Sequence, residues 1–126
     1  MSTKILTVDD SKMVQMIVAS TFKPYDCEIV GAADGGEGVE VAIKEQPNLI
    51  FLDITMPVLD GLQTLQKIRE TPSIAHIPVV MLTAESDGQR LAAADSLNVS
   101  GYIPKPFKPE QLIELTSKIV PLTLKA

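Results

Sequence analysis

Between Pro47 and Pro57 the chain runs Asn48-Leu49-Ile50-Phe51-Leu52-Asp53-Ile54-Thr55-Met56, and this unbroken apolar stretch limits the available folds more than any other feature. A strand with one wet face alternates apolar and polar residues. A run without alternation belongs to a strand covered on both faces, as in the parallel sheets of α/β proteins. The stretch delivers one carboxylate, Asp53, to the carboxyl end of a central strand, which is the edge where open α/β sheets bind ligands.

Other segments repeat the pattern. Lys4-Ile5-Leu6-Thr7-Val8 reads as a strand ending in Asp9-Asp10. Ser11 or Asp10 then caps a helix carrying Met13, Val14, Ile17, Val18 and Phe22. Cys27-Glu28-Ile29-Val30-Gly31-Ala32 is a second strand, followed by Asp34-Gly35-Gly36-Glu37-Gly38 and a helix holding Val39, Val41, Ala42 and Ile43. The glycines at its start predict a soft helix terminus. After Asp53 come a loop through Met56-Pro57-Val58-Leu59-Asp60-Gly61 and a helix with Leu62, Leu65 and Ile68, ending near Glu70.

Ile77 to Leu82 is the next buried strand, with Pro78 tolerable only at its start, and it ends in Thr83-Ala84-Glu85. An alanine-rich helix is expected from about Asp87 to Leu97, then a short strand Gly101-Tyr102-Ile103 that stops at Pro104-Lys105-Pro106. Pro109 suits the first turn of a last helix, whose Leu112, Ile113, Thr116, Ile119 and Val120 form an apolar stripe. Strands and helices alternate five times with short connections, which predicts a parallel sheet covered on both faces and joined by right-handed crossovers. Alternation alone does not give the strand order.

A chain of 126 residues supports one domain with one core. Its formal charge of -5 argues against wrapping a phosphate backbone, so direct nucleic-acid binding is not expected. The apolar strand starts almost at once, with no signal-peptide pattern, and no run approaches transmembrane length. The expectation is a cytoplasmic protein without membrane insertion. A single cysteine, Cys27, reads as a small buried hydrophobe.

If the strands are parallel, Asp9, Asp10, Asp53, Thr83 and Lys105 all fall on one edge, each directly after an apolar run. Three neighbouring carboxylates raise one another's pKa unless a cation compensates, which makes the cluster a ready site for Mg²⁺ or Mn²⁺. The hydroxyl of Thr83 and the ammonium of Lys105 then make sense together with a phosphoryl group on Asp53, whose carboxylate would be the nucleophile.

The set Asp9-Asp10, Asp53, Met56-Pro57, Asp60-Gly61, Thr83-Ala84, Tyr102 and Lys105-Pro106-Phe107 resembles the receiver domain of two-component response regulators, in order and over nearly the whole chain. The likeness is greatest to stand-alone receivers of the chemotaxis type. It implies a doubly wound, flavodoxin-like fold with a five-stranded parallel sheet of order 2-1-3-4-5 and five helices. One receiver domain would fill residues 1–126, its core about 4–120, with no output domain.

The resemblance makes Asp53 the phosphoacceptor for a sensor histidine kinase or phosphotransfer protein. Asp10, Asp53 and the backbone carbonyl of Thr55 would hold the divalent ion, with Asp9 acting through metal-bound water. Lys105 would pair with the acceptor carboxylate and then with phosphoryl oxygens, Thr83 would bond the phosphoryl group, and Tyr102 would swing in concert with Thr83. The Lys105-Pro106 bond is usually cis in the family. An effector protein would read the face formed by the fourth helix, fifth strand and fifth helix. The chain would be a monomer or weak dimer, and a phosphoacceptor rather than an enzyme. Asn98 stands where the family often has glycine, and Asn tolerates the left-handed conformation next best. By the same resemblance, Thr55 and Glu85 occupy positions that vary in the family and resemble tuners of phosphoryl lifetime.

Other signals weigh less. Gly35-Gly36-Glu37-Gly38 lacks the spacing of a dinucleotide loop and follows the wrong strand. His76 reads as a solvated loop residue. A hydrolase of the haloacid dehalogenase type needs a second Asp two residues after the nucleophile, where this chain has Thr55. A receiver fold used as a docking module without phosphorylation is the remaining alternative.

Overall fold

The computed structural model describes residues 3–54, 61–83, 96–105 and 107–124. Five parallel strands form one sheet in the order β2-β1-β3-β4-β5: β1 Thr3–Val8, β2 Cys27–Ala32, β3 Leu49–Asp53, β4 Val79–Thr83 and β5 Gly101–Pro104. Four helices are described: α1 Lys12–Phe22, α2 Gly35–Glu45, α3 Gly61–Glu70 and α4 Pro109–Ile119. This α4 is the fifth helix of the sequence reading. The alanine-rich helix expected before it falls almost wholly outside the described residues, and its expected last residue, Leu97, lies in a turn.

β3 is buried along its whole length, as its lack of alternation requires. Its side chains divide between the two faces with the period of a strand. Ile50 and Leu52 join a core with Leu6, Val8, Met81, Ala42 of α2 and Leu65 and Ile68 of α3. Leu49 and Phe51 join a core on the other face with Ile5, Val80, Leu82, Val18 and Phe22 of α1 and Leu112 of α4. There the Phe51 and Phe22 rings stack with centroids 6.1 Å apart.

Local chemistry sets the helix ends. Ser11 caps α1 by accepting from the Val14 amide, Asp34 caps α2 through the Glu37 amide, and Pro109 opens α4. The glycines of α2 have a packing role beyond softness, because a Cβ on Gly38 would stand 2.8 Å from Val8 Cγ2. That clearance lets α2 approach β1 just below the strand end. Asn98 takes φ of 59°, the left-handed conformation expected of it. Cys27 is half-buried and donates to the Phe22 carbonyl, so it is less enclosed than its sequence suggests. His76 is exposed in the turn before β4.

Candidate functional site

Parallel pairing aligns the carboxyl ends of β1, β3, β4 and β5, and four of the predicted side chains meet there. Asp9 follows β1, and its amide donates to the Ala32 carbonyl at 3.1 Å, carrying the β1–β2 pairing one residue further. Its Oδ1 accepts from the Ser11 amide at 2.8 Å, which turns the carboxylate inward as α1 begins. Asp9 is thereby fully buried while its neighbour Asp10 is exposed. Asp53, the last residue of β3, is 3% exposed. One carboxylate oxygen from each of Asp9, Asp10 and Asp53 lies within 4.8 Å of the others.

Lys105 enters from the end of β5. Its amide donates to the Thr83 carbonyl at 2.6 Å, so the ends of β4 and β5 hold its main chain. Its Nζ reaches both Asp9 Oδ2 and Asp53 Oδ1 at 3.2 Å. Burial acts to lower the pKa of this ammonium, but the Asp9 and Asp53 charges outweigh it and the pKa is raised. Lys105 is thus a fixed cation between two carboxylates that have almost no contact with water.

Among the described residues, three carboxylates against one ammonium leave the cluster two charges negative. The donors are all hard oxygens, and Mg²⁺ takes a few carboxylates and completes its shell with carbonyls, water and phosphate oxygens. The residues therefore fit a small divalent cation in both charge and donor type.

Thr83 ends β4, one residue past the Leu82 that pairs with Asp53, and is buried. Tyr102 is half-buried on β5, packed against the core beneath α2 and α3. Thr55, Met56-Pro57, Asp60, Ala84, Glu85 and Pro106 lie outside the described residues, so the expected Thr55 carbonyl ligand and the peptide bond after Lys105 do too.

Three residues support the site in ways the sequence does not show, although Gly61 and Ser11 stand out in it for other reasons. Gly61 opens α3 hard against β3, since a Cβ there would stand 2.2 Å from the Asp53 carbonyl oxygen. The Ser11 amide orients Asp9. Gln15 reaches the main chain of Asp9 from α1. A signal for Gln15 did exist: it is polar, yet shares a helical face with Val18 and Phe22.

Comparison with known proteins agrees with this geometry. Residues 5–117 match the response regulator receiver domain. Protein PilG of Pseudomonas aeruginosa is 31% identical over 118 residues, which cover 94% of this chain and 87% of PilG. The probable transcriptional regulator ycf27 of Porphyridium aerugineum is 36% identical over 109 residues, but the match covers 86% of this chain and only 44% of that protein. This chain therefore spans less than half the length of that relative. Among solved structures, the chemotaxis protein CheY4 of Vibrio cholerae superposes with a TM-score of 0.88 at 29% identity, covering 95% of this chain and 100% of CheY4. With the family pattern met from the first strand into the last helix, and the fold shared with its relatives, the chain belongs to the receiver domain family of two-component response regulators.

Proposed function

We propose that the chain is a phosphorylation-driven signalling switch that accepts a phosphoryl group on Asp53 from a sensor histidine kinase or phosphotransfer protein in the cytoplasm. The observation that carries this reading is the convergence of Lys105 Nζ, at 3.2 Å, on both Asp53 and Asp9 inside a cluster that fits a divalent cation. In the transfer an Asp53 carboxylate oxygen attacks phosphorus while the P–N bond of the donor phosphohistidine breaks. The imidazole leaves and takes a proton from solvent. The product is an acyl phosphate, and the transferred group brings roughly two negative charges to a site already short of positive charge.

In this reading Lys105 neutralises phosphoryl oxygens, and the Thr83 hydroxyl donates to one of them. Asp10, Asp53 and the Thr55 carbonyl would hold Mg²⁺ or Mn²⁺, with Asp9 acting through a bound water. When bound, the ion supplies charge stabilisation at the transferring oxygens. Residues 4–120 act as one receiver unit and a phosphoacceptor rather than a turnover catalyst. Tyr102 reports the state of the site to an effector protein on the face of β5, α4 and the expected alanine-rich helix. The phosphoryl group shifts that surface only as far as it contacts one conformation better than the other.

Incubation with acetyl phosphate and Mg²⁺, followed by intact-mass measurement, tests the reading. One phosphoryl adduct is expected on the wild type and none on Asp53→Asn. If no adduct forms, and a partner binds wild type and Asp53→Asn equally, the chain is a docking module instead.

A further inference from the structure

The main chain that carries Asp9 is held from outside the acidic cluster. Gln15, one turn into α1, donates through Nε2 to the Asp9 carbonyl at 2.8 Å and to the Ala32 carbonyl at 3.2 Å. The β1–β2 register ends at Val8 and Ala32. One amide group therefore clips the two strands together where their pairing runs out, at the residue whose carboxylate faces Lys105.

Gly31 cradles this clip. A Cβ built there would stand 2.3 Å from Gln15 Oε1 and 3.2 Å from its Cδ, so the Gln15 amide fills the space a side chain at position 31 would take. No described glycine has positive φ, so what Gly31 supplies is room rather than an unusual backbone. The Asp9 carboxylate is fixed relative to its own backbone by the Ser11 amide. Where the Asp9 main chain sits therefore decides where its carboxylate points.

We infer that Gln15, seated on Gly31, is a positioning residue for the acidic cluster. It holds the Asp9 main chain so that Asp9, Asp10 and Asp53 stay close enough to share one ion. The inference rests on the reading of this cluster as a metal-assisted phosphoacceptor site. Loss of an outer partner of a metal ligand weakens metal binding about 10- to 100-fold. Gln15 acts through the backbone of Asp9, which itself would reach the ion through water, and this sets the lower end of that range.

Direct Mn²⁺ titration of the full chain, with free ion followed by electron paramagnetic resonance, tests this. Gln15→Ala is expected to raise the Kd for Mn²⁺ about 10-fold. Gly31→Ala should do the same by displacing the amide, and the double variant should be no worse than Gln15→Ala, because the new methyl then meets no glutamine. Thr21→Val is the control, since it removes another α1 hydrogen bond, from the Thr21 hydroxyl to the Ile17 carbonyl. It should leave the Kd unchanged. Wild-type affinity in Gln15→Ala, an equal loss in Thr21→Val, or additive losses in the double variant would each overturn the inference while leaving the phosphoacceptor reading intact. A wild type that neither binds Mn²⁺ nor takes a phosphoryl group from acetyl phosphate would overturn both.

Discussion

Lys105 Nζ stands 3.2 Å from Asp9 Oδ2 although 96 residues separate the two in the chain. The same ammonium is equally near Asp53 Oδ1, and it comes from the last strand while its partners end β1 and β3. An interaction spanning this much of the fold makes the charge balance of the site part of the stability of the whole.

Lys105→Met leaves Asp9 and Asp53 buried without their cation. Breaking a buried pair by removing one partner costs about 3–5 kcal/mol. Lys105 keeps some access to water, which reduces the expected loss to roughly 2 kcal/mol. Urea unfolding without divalent ions measures it. Adding Mg²⁺ should raise the unfolding midpoint more in the variant than in the wild type, because the ion then supplies the positive charge that Lys105 gave.

The pH dependence follows from the raised pKa of Lys105. A lysine whose folded pKa lies above its ordinary 10.5 binds its proton more tightly in the folded chain. Its contribution is fully present below that ordinary value and is lost as pH rises through the folded one. The stability gap between wild type and Lys105→Met should stay flat from neutral pH up to about 10.5 and shrink above it. Denaturation midpoints across alkaline buffers check this; a gap that already shrinks near neutrality contradicts it.

Gly61→Ala places a methyl 2.2 Å from the Asp53 carbonyl oxygen and 2.5 Å from Ile54 Cα. Both are backbone atoms, so no side chain can turn aside. Overpacking typically costs about 1–3 kcal/mol, and the upper end is expected here. Because α3 must back away from the residue proposed as the acceptor, phosphorylation from acetyl phosphate should slow as the unfolding midpoint falls.

Arg69 donates to the carbonyls of Ala75, Ile77, Leu97 and Asn98, tying the end of α3 to the turn before β4 and the chain entering β5. Burial lowers its pKa, yet a guanidinium remains charged across the accessible range. Arg69→Ala strands several carbonyls and should cost roughly 3 kcal/mol. Arg69→Lys should recover only part of this, because an ammonium cannot spread donors in the plane of a guanidinium. Equilibrium unfolding of both variants measures the difference.

Two threonines should respond oppositely to the same change. Thr116 is fully buried and its hydroxyl has no partner among the described residues, so Thr116→Val should stabilise by about 1 kcal/mol. Thr21 donates to the Ile17 carbonyl at 2.7 Å, and Thr21→Val should lose a similar amount. Thermal unfolding of the pair gives the sign directly.

Much of the architecture was legible because burial on both faces leaves a plain mark in the residues. β2 begins and ends where its apolar run does, and β3 ends on the predicted Asp53. The strand order was not in the alternation, since a sheet order depends on which crossovers pass which face; it came from the resemblance and agrees with the pairing observed. The acidic cluster and Lys105 were legible from their places after apolar runs. That Asp9 is the buried carboxylate and Asp10 the exposed one was not, because adjacent residues leave a strand in opposite directions and a local turn decides which goes inward. Gln15 and Arg69 escaped notice for a related reason. Both act on main-chain carbonyls, whose positions a residue pattern does not give; for Gln15 the pattern marks only a polar residue on an apolar helix face.

The order in which the site's residues leave the ribosome differs from their order across the sheet. β2, β1 and β3 come from the first 53 residues, so Asp9 and Asp53 can be brought side by side early in synthesis, while Lys105 arrives only with the last strand. A nascent chain therefore carries Asp9 and Asp53 without the Lys105 ammonium until β5 docks on β4. On the proposed function, the ability to take a phosphoryl group would be a late event in maturation, reached only once the last strand has docked.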